Sequence, residues 1–303
     1  MTRLLITGAS GFAGRHLLAH LRQDAPHLEL LAPSLDITDQ KAIEALIATA
    51  QPDILLHLAG ISSLRHAAAH PERTFAVNVL GSLNLAEAVL AHAPACRFIF
   101  VSSTEVYGRA CIAGEAVTEA TVPEPVGPYA LSKANAEEAL AALPGLKLLR
   151  LRVGNHTGPG QLPDFVVPAF ARQIARIEAR LQPPVLKTGN LDSWRDFLDV
   201  HDICTAYTAA CALPDFAPKE VLNIASGKPQ RIGTLLEMLL SMARVEISVQ
   251  PDAARQRQGE IRYTLIDASR AKARLNWAPQ RAMRETLAAT LAYWRAEASK
   301  EAG

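Results

Sequence analysis

Tyr129 and Lys133 stand four residues apart in Tyr-Ala-Leu-Ser-Lys. On a helix this spacing puts the phenol and the ammonium one turn apart on one face. A tyrosine has an ordinary pKa near ~10, too high for easy proton exchange at neutral pH. A nearby ammonium favours the phenolate and lowers that value. Tyr129 then serves as a general acid or base. Upstream, an apolar strand expected over Arg97–Val101 runs into Ser102-Ser103-Thr104-Glu105. Hydroxyls and a carboxylate at the end of a central strand sit where open α/β sheets bind ligands. Ser103 can hydrogen-bond an oxygen whose charge changes as a carbonyl carbon reacts. Glu105 is open to two readings, a proton-abstracting carboxylate or a structural residue.

Hydride transfer is beyond any side chain and calls for a nicotinamide. The N-terminus offers its seat. Arg3 to Thr7 is a short apolar run, Gly8-Ala-Ser10-Gly11-Phe12-Ala13-Gly14 follows, and Arg15 opens a stretch with Leu17, Leu18 and Leu21 at helical spacing. A buried strand, three spaced glycines and a helix make a dinucleotide-binding turn. The spacing is GxxGxxG. One glycine allows the tight turn, another lets the backbone approach the pyrophosphate, and the last lets the helix pack on the strand. The phosphates then meet the N–H groups at the helix start.

Together the glycine turn, the Ser103 strand end and Tyr129-x-x-x-Lys133 resemble the extended short-chain dehydrogenases/reductases, which act on nucleotide sugars. The resemblance implies a Rossmann-type doubly wound parallel sheet with a smaller α/β substrate-binding lobe. It implies that Asp36 and Ile37 hold the adenine side of the cofactor. Leu58, Ala59 and Gly60, a small-residue strand end, and Ser102 would also line the cofactor. Asn78, an unfavourable residue inside a helix, would support Lys133 through a water. Lys133 would also hold the ribose hydroxyls.

A closer resemblance covers nearly the whole chain. Asn155-His-Thr-Gly-Pro-Gly-Gln161, Ala171-Arg-Gln-Ile-Ala-Arg176 and Arg195-Asp-Phe-Leu-Asp-Val200 look like the bacterial GDP-4-keto-6-deoxy-D-mannose reductases. This implies reduction of a C4 keto group to give GDP-D-rhamnose. In the resemblance Asn155 and the segment near Val167 hold the nucleotide, and Arg195 and Arg257 approach the diphosphate, a task suited to the guanidinium fork. Ser63, Thr104, Arg172, Lys187 and Glu260 complete the candidate substrate contacts, with Arg65 a second polar candidate in the loop expected over Ile61–His70. For Arg172 a solvated helix face is the competing reading. Ser103-Thr104-Glu105 also resembles the triplet of 4,6-dehydratases, so a dehydratase or a 4-epimerase stays open. A cofactor-binding sensor or scaffold without catalysis is the remote alternative.

The end of the second expected strand reads Ala32-Pro33-Ser34, without the acidic residue that often holds the adenosine ribose. That departure leaves NADP or NAD open with a lean to NADP, since Arg15 could meet a 2′-phosphate. Asp39 is the expected cap of a helix from Gln40 to Ala50.

The remaining elements divide the chain. Residues 1–150 with 191–225 are expected to form the dinucleotide-binding domain, and 151–190 with 226–303 the sugar-binding lobe. The helices Pro71–His92 and Tyr129–Leu143 pair in a four-helix homodimer interface in this superfamily. At 49% apolar and 20% charged, the chain can bury a large core. A net charge of +1 gives no case for nucleic acid or an acidic membrane. No apolar run approaching the ~20 residues of a bilayer span and no signal-peptide pattern stand out. Cys96, Cys111, Cys204 and Cys211 are scattered without CxxC, as in reduced cytoplasmic proteins. No HExxH pattern occurs, and no metal site is expected.

Overall fold

Leu4, Leu5 and Ile6 are fully buried, yet they serve two different cores. Alternate side chains of a strand point to opposite faces, so Leu4 and Ile6 pack on one side of a sheet and Leu5 on the other. Each such burial contributes roughly 1.5–3 kcal/mol before the entropy of ordering is set against it.

The computed structural model describes residues 1–112, 114–255 and 261–302. The main sheet contains β1 (Thr2–Thr7), β2 (Leu28–Leu31), β3 (Ile54–His57), β4 (Arg97–Ser103), β5 (Lys147–Val153) and the edge strand Glu220–Ile224. Across the sheet the order is β2, β1, β3, β4, β5 and the edge strand. Every pair is parallel. The winding reverses between β1 and β3, and ligands bind outside the carboxyl ends of strands at such a switch point. There Thr7 lies opposite His57. On the far side Ser103 lies opposite Val153.

Helices cover both faces. Phe12–Asp24 and Val200–Ala212 bury Leu17, Leu21, Ile203 and Tyr207 with Leu4 and Ile6. Gln40–Ala50, the stretch 71–92 and Gly127–Ala141 bury Ile43, Leu85 and Ala136 with Leu5. A third core joins Val166–Glu178, Ile232–Leu240 and the C-terminal helix Met283–Ala302 through Ile174, Leu236 and Leu287. Ala271, Leu275 and Trp277 lie in the sheet core with Leu4 and Ile6, although they fall within the stretch expected for the smaller lobe.

Three local expectations change. Residues 61–70, expected as loop, contain the helix Leu64–Ala69, capped by Ser63 accepting from the His66 N–H at 3.2 Å. Six residues are too few to show a periodicity. The helix carrying Tyr129 begins at Gly127, because Pro128 falls in its first turn, where no N–H is needed. The long helix after Pro71 is interrupted by a π-turn at Ala76–Leu80, where the Gly81 N–H donates to the Ala76 carbonyl. This helix, Pro71–His92, is 22 residues long and contains an 18-residue window of mean hydropathy 1.4, enough by length and composition to cross a bilayer, but half of that window is buried inside the protein.

Candidate active site

The π-turn explains the asparagine. Asn78 is buried within it, at 1% exposure. Its Oδ1 accepts from the Ile61 N–H at 2.8 Å, and its Nδ2 donates to the Ile61 carbonyl at 3.0 Å and to Ser132 Oγ at 2.9 Å. A π-turn inserts one residue and re-aims the side chains around it, and such turns are frequent at functional sites. Gly60 lies against the same group. A Cβ added there would stand 3.0 Å from Asn78 Oδ1 and 3.5 Å from Lys133 Nζ.

Lys133 points beneath the sheet's carboxyl edge. Its Nζ donates to the Val101 carbonyl at 2.8 Å and lies 4.8 Å from the centre of the Phe100 ring. Burial lowers its pKa to about 8, with Glu137 opposing the shift. Ser103 closes β4 and accepts from the Glu105 N–H at 3.2 Å, beginning a short 3₁₀ turn over Thr104–Tyr107. Thr104 is buried and Glu105 half-buried.

Tyr129 departs from expectation. Burial pushes its phenol up to about 12; hydrogen bonding with Ser103 pulls it down and the charge of Glu105 pushes it further up. The Lys133 ammonium is turned to Val101 rather than to the phenol, so desolvation prevails. A phenol with this pKa is protonated at neutral pH and has a proton to give.

The glycine turn fits a dinucleotide. Gly8 has φ +73°, and a Cβ there would stand 2.5 Å from the Ala59 nitrogen. At Gly14 a Cβ would stand 2.4 Å from the Gly8 carbonyl oxygen. The bed is therefore open only to residues without side chains. Gly11 begins the helix Phe12–Asp24 with no side-chain cap, which leaves that helix end suited to an anion. Ser10 and Gly11 are exposed, and Phe12 and Ala13 half-buried. Leu58, Ala59 and Gly60 continue from β3 directly beside Gly8.

Other candidates are placed less simply. Arg15 donates to the carbonyls of Ser10 at 2.7 Å and Gly160 at 3.3 Å, tying the turn to the segment after β5. Asp36 accepts from the Thr38 N–H and hydroxyl, which hold its carboxyl below the usual range. Ile37 is buried at 4% exposure against Gly81. Asp39 caps its helix by accepting from the Ala42 N–H at 3.1 Å.

Ser102 was expected at the cofactor. Instead its hydroxyl donates to Glu137 Oε1 within the buried layer below, because adjacent strand residues face opposite ways. Val167 lies in the third core at 1% exposure, so its side chain packs rather than reaching a ligand. Arg172 stands over the Trp294 ring, 3.8 Å from Glu301, and joins the helices Val166–Glu178 and Met283–Ala302 that share the third core. Ser63 caps its helix. Lys187 is exposed on the strand Val185–Thr188. Asn155 starts a short strand paired with Phe197–Asp199. Arg195 donates to the Trp194 carbonyl at 2.9 Å, and its charge lowers the pKa of Cys111 against the larger effect of burial. Glu105 acts on the same thiol, so Arg195 and Glu105 flank one place. Arg257 and Glu260 lie outside the described residues.

Sequence reasoning missed His57, Ser82, Ser132 and the Glu137–Arg152 pair. Glu137 follows Lys133 by one helical turn and takes Arg152 Nε at 3.0 Å and Nη2 at 2.7 Å. A histidine within the apolar run of β3 was the one available signal. Two histidine pairs stand four residues apart, His16/His20 and His66/His70. Among the described residues no three His, Cys, Asp or Glu side chains gather as a metal site.

The comparisons with known proteins agree with this arrangement. The sequence profile of GDP-mannose 4,6 dehydratase matches residues 18–290. The chain is 36% identical to the GDP-6-deoxy-D-mannose reductase of Pseudomonas aeruginosa, covering 99% of both chains. The solved structure of RMD from Pseudomonas aeruginosa, complexed with NADPH, superposes with a TM-score of 0.90 at 35% identity, over 98% of this chain and 100% of that one. A UDP-glucose 4-epimerase from Thermotoga maritima with UDP-glucose superposes at 0.84 with 26% identity, over 98% and 99%. The parallel sheet, the glycine turn and the matched span therefore agree, and this chain belongs to the GDP-mannose 4,6-dehydratase family of extended short-chain dehydrogenases/reductases.

Proposed function

We propose that this protein reduces the C4 keto group of GDP-4-keto-6-deoxy-D-mannose to GDP-D-rhamnose with NADPH. One observation carries the reading: 36% identity to a GDP-6-deoxy-D-mannose reductase along 99% of the chain, in a sequence that retains Ser103, Tyr129 and Lys133. The dinucleotide seat is the turn Gly8–Gly14 with the strand end Leu58–Gly60. Bound there, the nicotinamide cofactor supplies the hydride. Tyr129 gives its proton to the C4 oxygen, consistent with a phenol held protonated by burial. Ser103 donates a hydrogen bond to the same oxygen as its charge grows. Lys133 holds the cofactor ribose, and its ammonium, turned from Val101 once cofactor is bound, would stabilise the phenolate left by proton transfer. Arg195 meets the diphosphate, and Asn155 the nucleotide. The NADPH complex of the Pseudomonas aeruginosa structure supports the choice of NADPH over NADH.

A dehydratase reading has one observation in its favour, a half-buried Glu105 whose charge reaches Tyr129. Stoichiometry separates the two. The reductase consumes one NADPH per ketone, whereas a dehydratase or epimerase consumes none overall. Incubation with the 4-keto-6-deoxy sugar and NADPH is expected to remove the reduced-nicotinamide absorbance mole for mole. Conversion of GDP-mannose to the 4-keto sugar with no such loss on the ketone would reject the reductase.

The protein is further proposed to work as a cytoplasmic homodimer. Phe75, Leu80 and Leu131 are 37%, 57% and 41% exposed on the contacting helices 71–92 and Gly127–Ala141, an apolar surface suited to a second copy. All four cysteines are free. The two-lobe division is supported by the third core, which would let that part move over the sugar as a unit. A monomer in sedimentation at micromolar concentration would reject the dimer.

A further inference from the structure

His57 closes β3 with no exposure to solvent and has a hydrogen-bond partner on each ring nitrogen. Thr7 Oγ1 lies 2.7 Å from Nδ1, and Ser82 Oγ 2.9 Å from Nε2. Ser82 Oγ also lies 2.6 Å from the Asn78 main-chain carbonyl. A carbonyl only accepts, so the single proton of Ser82 goes to Asn78. Nε2 must then carry the imidazole proton and donate to Ser82. Nδ1 is bare and accepts from the Thr7 hydroxyl, which in turn accepts from the Ala59 N–H at 3.4 Å. Only one set of proton positions satisfies every partner.

The two ends of this string matter. Thr7 directly precedes Gly8, the left-handed glycine of the turn. Ser82 follows the π-turn that buries Asn78, and Asn78 reaches Tyr129 through Ser132, whose hydroxyl donates to the Tyr129 carbonyl at 2.7 Å. Burial with Lys133 nearby lowers the His57 pKa to about 3, so the ring is neutral and its tautomer stable.

We propose that His57 is a positioning residue whose Nε2–H tautomer, held between Thr7 and Ser82, ties the glycine turn to the π-turn that aims Asn78. The dinucleotide seat and the Tyr129–Lys133 helix are thereby set by one buried string, in which each fully satisfied bond strengthens the next. The proposal rests on reading the glycine turn as the cofactor seat.

Two substitutions divide the string. His57→Asn keeps an acceptor where Nδ1 stood, for Thr7, and loses the donor to Ser82. His57→Gln reaches Ser82 with an amide N–H and loses the acceptor for Thr7. The expected result for His57→Asn is an NADPH Kd within about twofold of wild type and kcat lowered about tenfold. For His57→Gln the expectation is reversed, with Kd weakened about tenfold and kcat within about twofold. Calorimetry gives Kd without turnover. Long-range proton–nitrogen correlation on the intact wild-type protein, labelled with 15N-histidine, is expected to show His57 protonated at Nε2. An Nδ1–H tautomer overturns the proposal, as do unchanged variants or losses of Kd and kcat that run parallel in both variants. A wild-type protein that binds NADPH but fails to reduce the ketone would sink the proposed reaction, while the tautomer and Kd measurements would still judge His57.

Discussion

Ser132 joins Asn78 to Tyr129: its hydroxyl accepts from Asn78 Nδ2 at 2.9 Å and donates to the Tyr129 carbonyl at 2.7 Å. The side chain of one helix thereby holds the first turn of the next, the turn that carries the phenol. Ser132→Ala removes both bonds and leaves a buried amide proton without an acceptor. A cost of about 1–3 kcal/mol is expected, read as a lower urea midpoint. The variant is also expected to lose kcat while keeping NADPH affinity, because the glycine turn is untouched.

Tyr129→Phe removes the proton and little else. The ring still fills its site between Ser103 and the helix. Turnover is expected to fall about 10²–10⁴-fold, with NADPH Kd within about twofold, since the seat is built from other elements. Steady-state rates and calorimetry on the same preparation check both halves. Turnover near wild type would remove Tyr129 from the mechanism.

Lys133 gives the reaction an alkaline limit. Its ammonium, lowered by burial to about 8, loses its proton as pH rises through that value. The charge that holds a ribose and stabilises the phenolate left after proton transfer is then gone. The pH profile of kcat/KM is therefore expected to fall on the alkaline side with a midpoint near 8, the free-enzyme value. A flat profile from pH ~7 to ~9.5 would contradict the role.

Stability should fail on the acid side. His57 has a folded pKa of about 3, below its ordinary 6.5, and burial also lowers His16 and His156. Below pH 6.5 the unfolded chain binds protons that the folded chain refuses, so stability falls as pH falls. At pH ~5 the His57 contribution alone is about 2 kcal/mol. Urea midpoints at pH ~7 and ~5 read the loss, and His57→Gln is expected to reduce the difference between them.

The glycine turn and the Tyr129–Lys133 pair were legible because each is written as short-range spacing, three or four residues at a time. Local backbone sterics and helical geometry decide what such spacings do, and neither needs the rest of the chain. The strands were legible for a similar reason: a run such as Asp53-Ile-Leu-Leu-His can be buried only as a central strand or a core helix, and its length selects the strand. Which polar side chains meet was not legible. Thr7, His57, Asn78 with Ser82, and Ser132 come from four separate elements; only Asn78 and Ser82, one turn apart on the same helix, are related by spacing. The parallel sheet brings Thr7 opposite His57, and the π-turn then fixes where Asn78 points. Packing also reassigned residues whose types suited a ligand. Val167 went to the third core, Arg172 to Trp294 and Glu301, and Ser102 to Glu137. A side chain's type limits the bonds it can make. Only the folded chain decides which partner is within reach once water has been excluded, because a buried polar group must take the partner that packing leaves beside it.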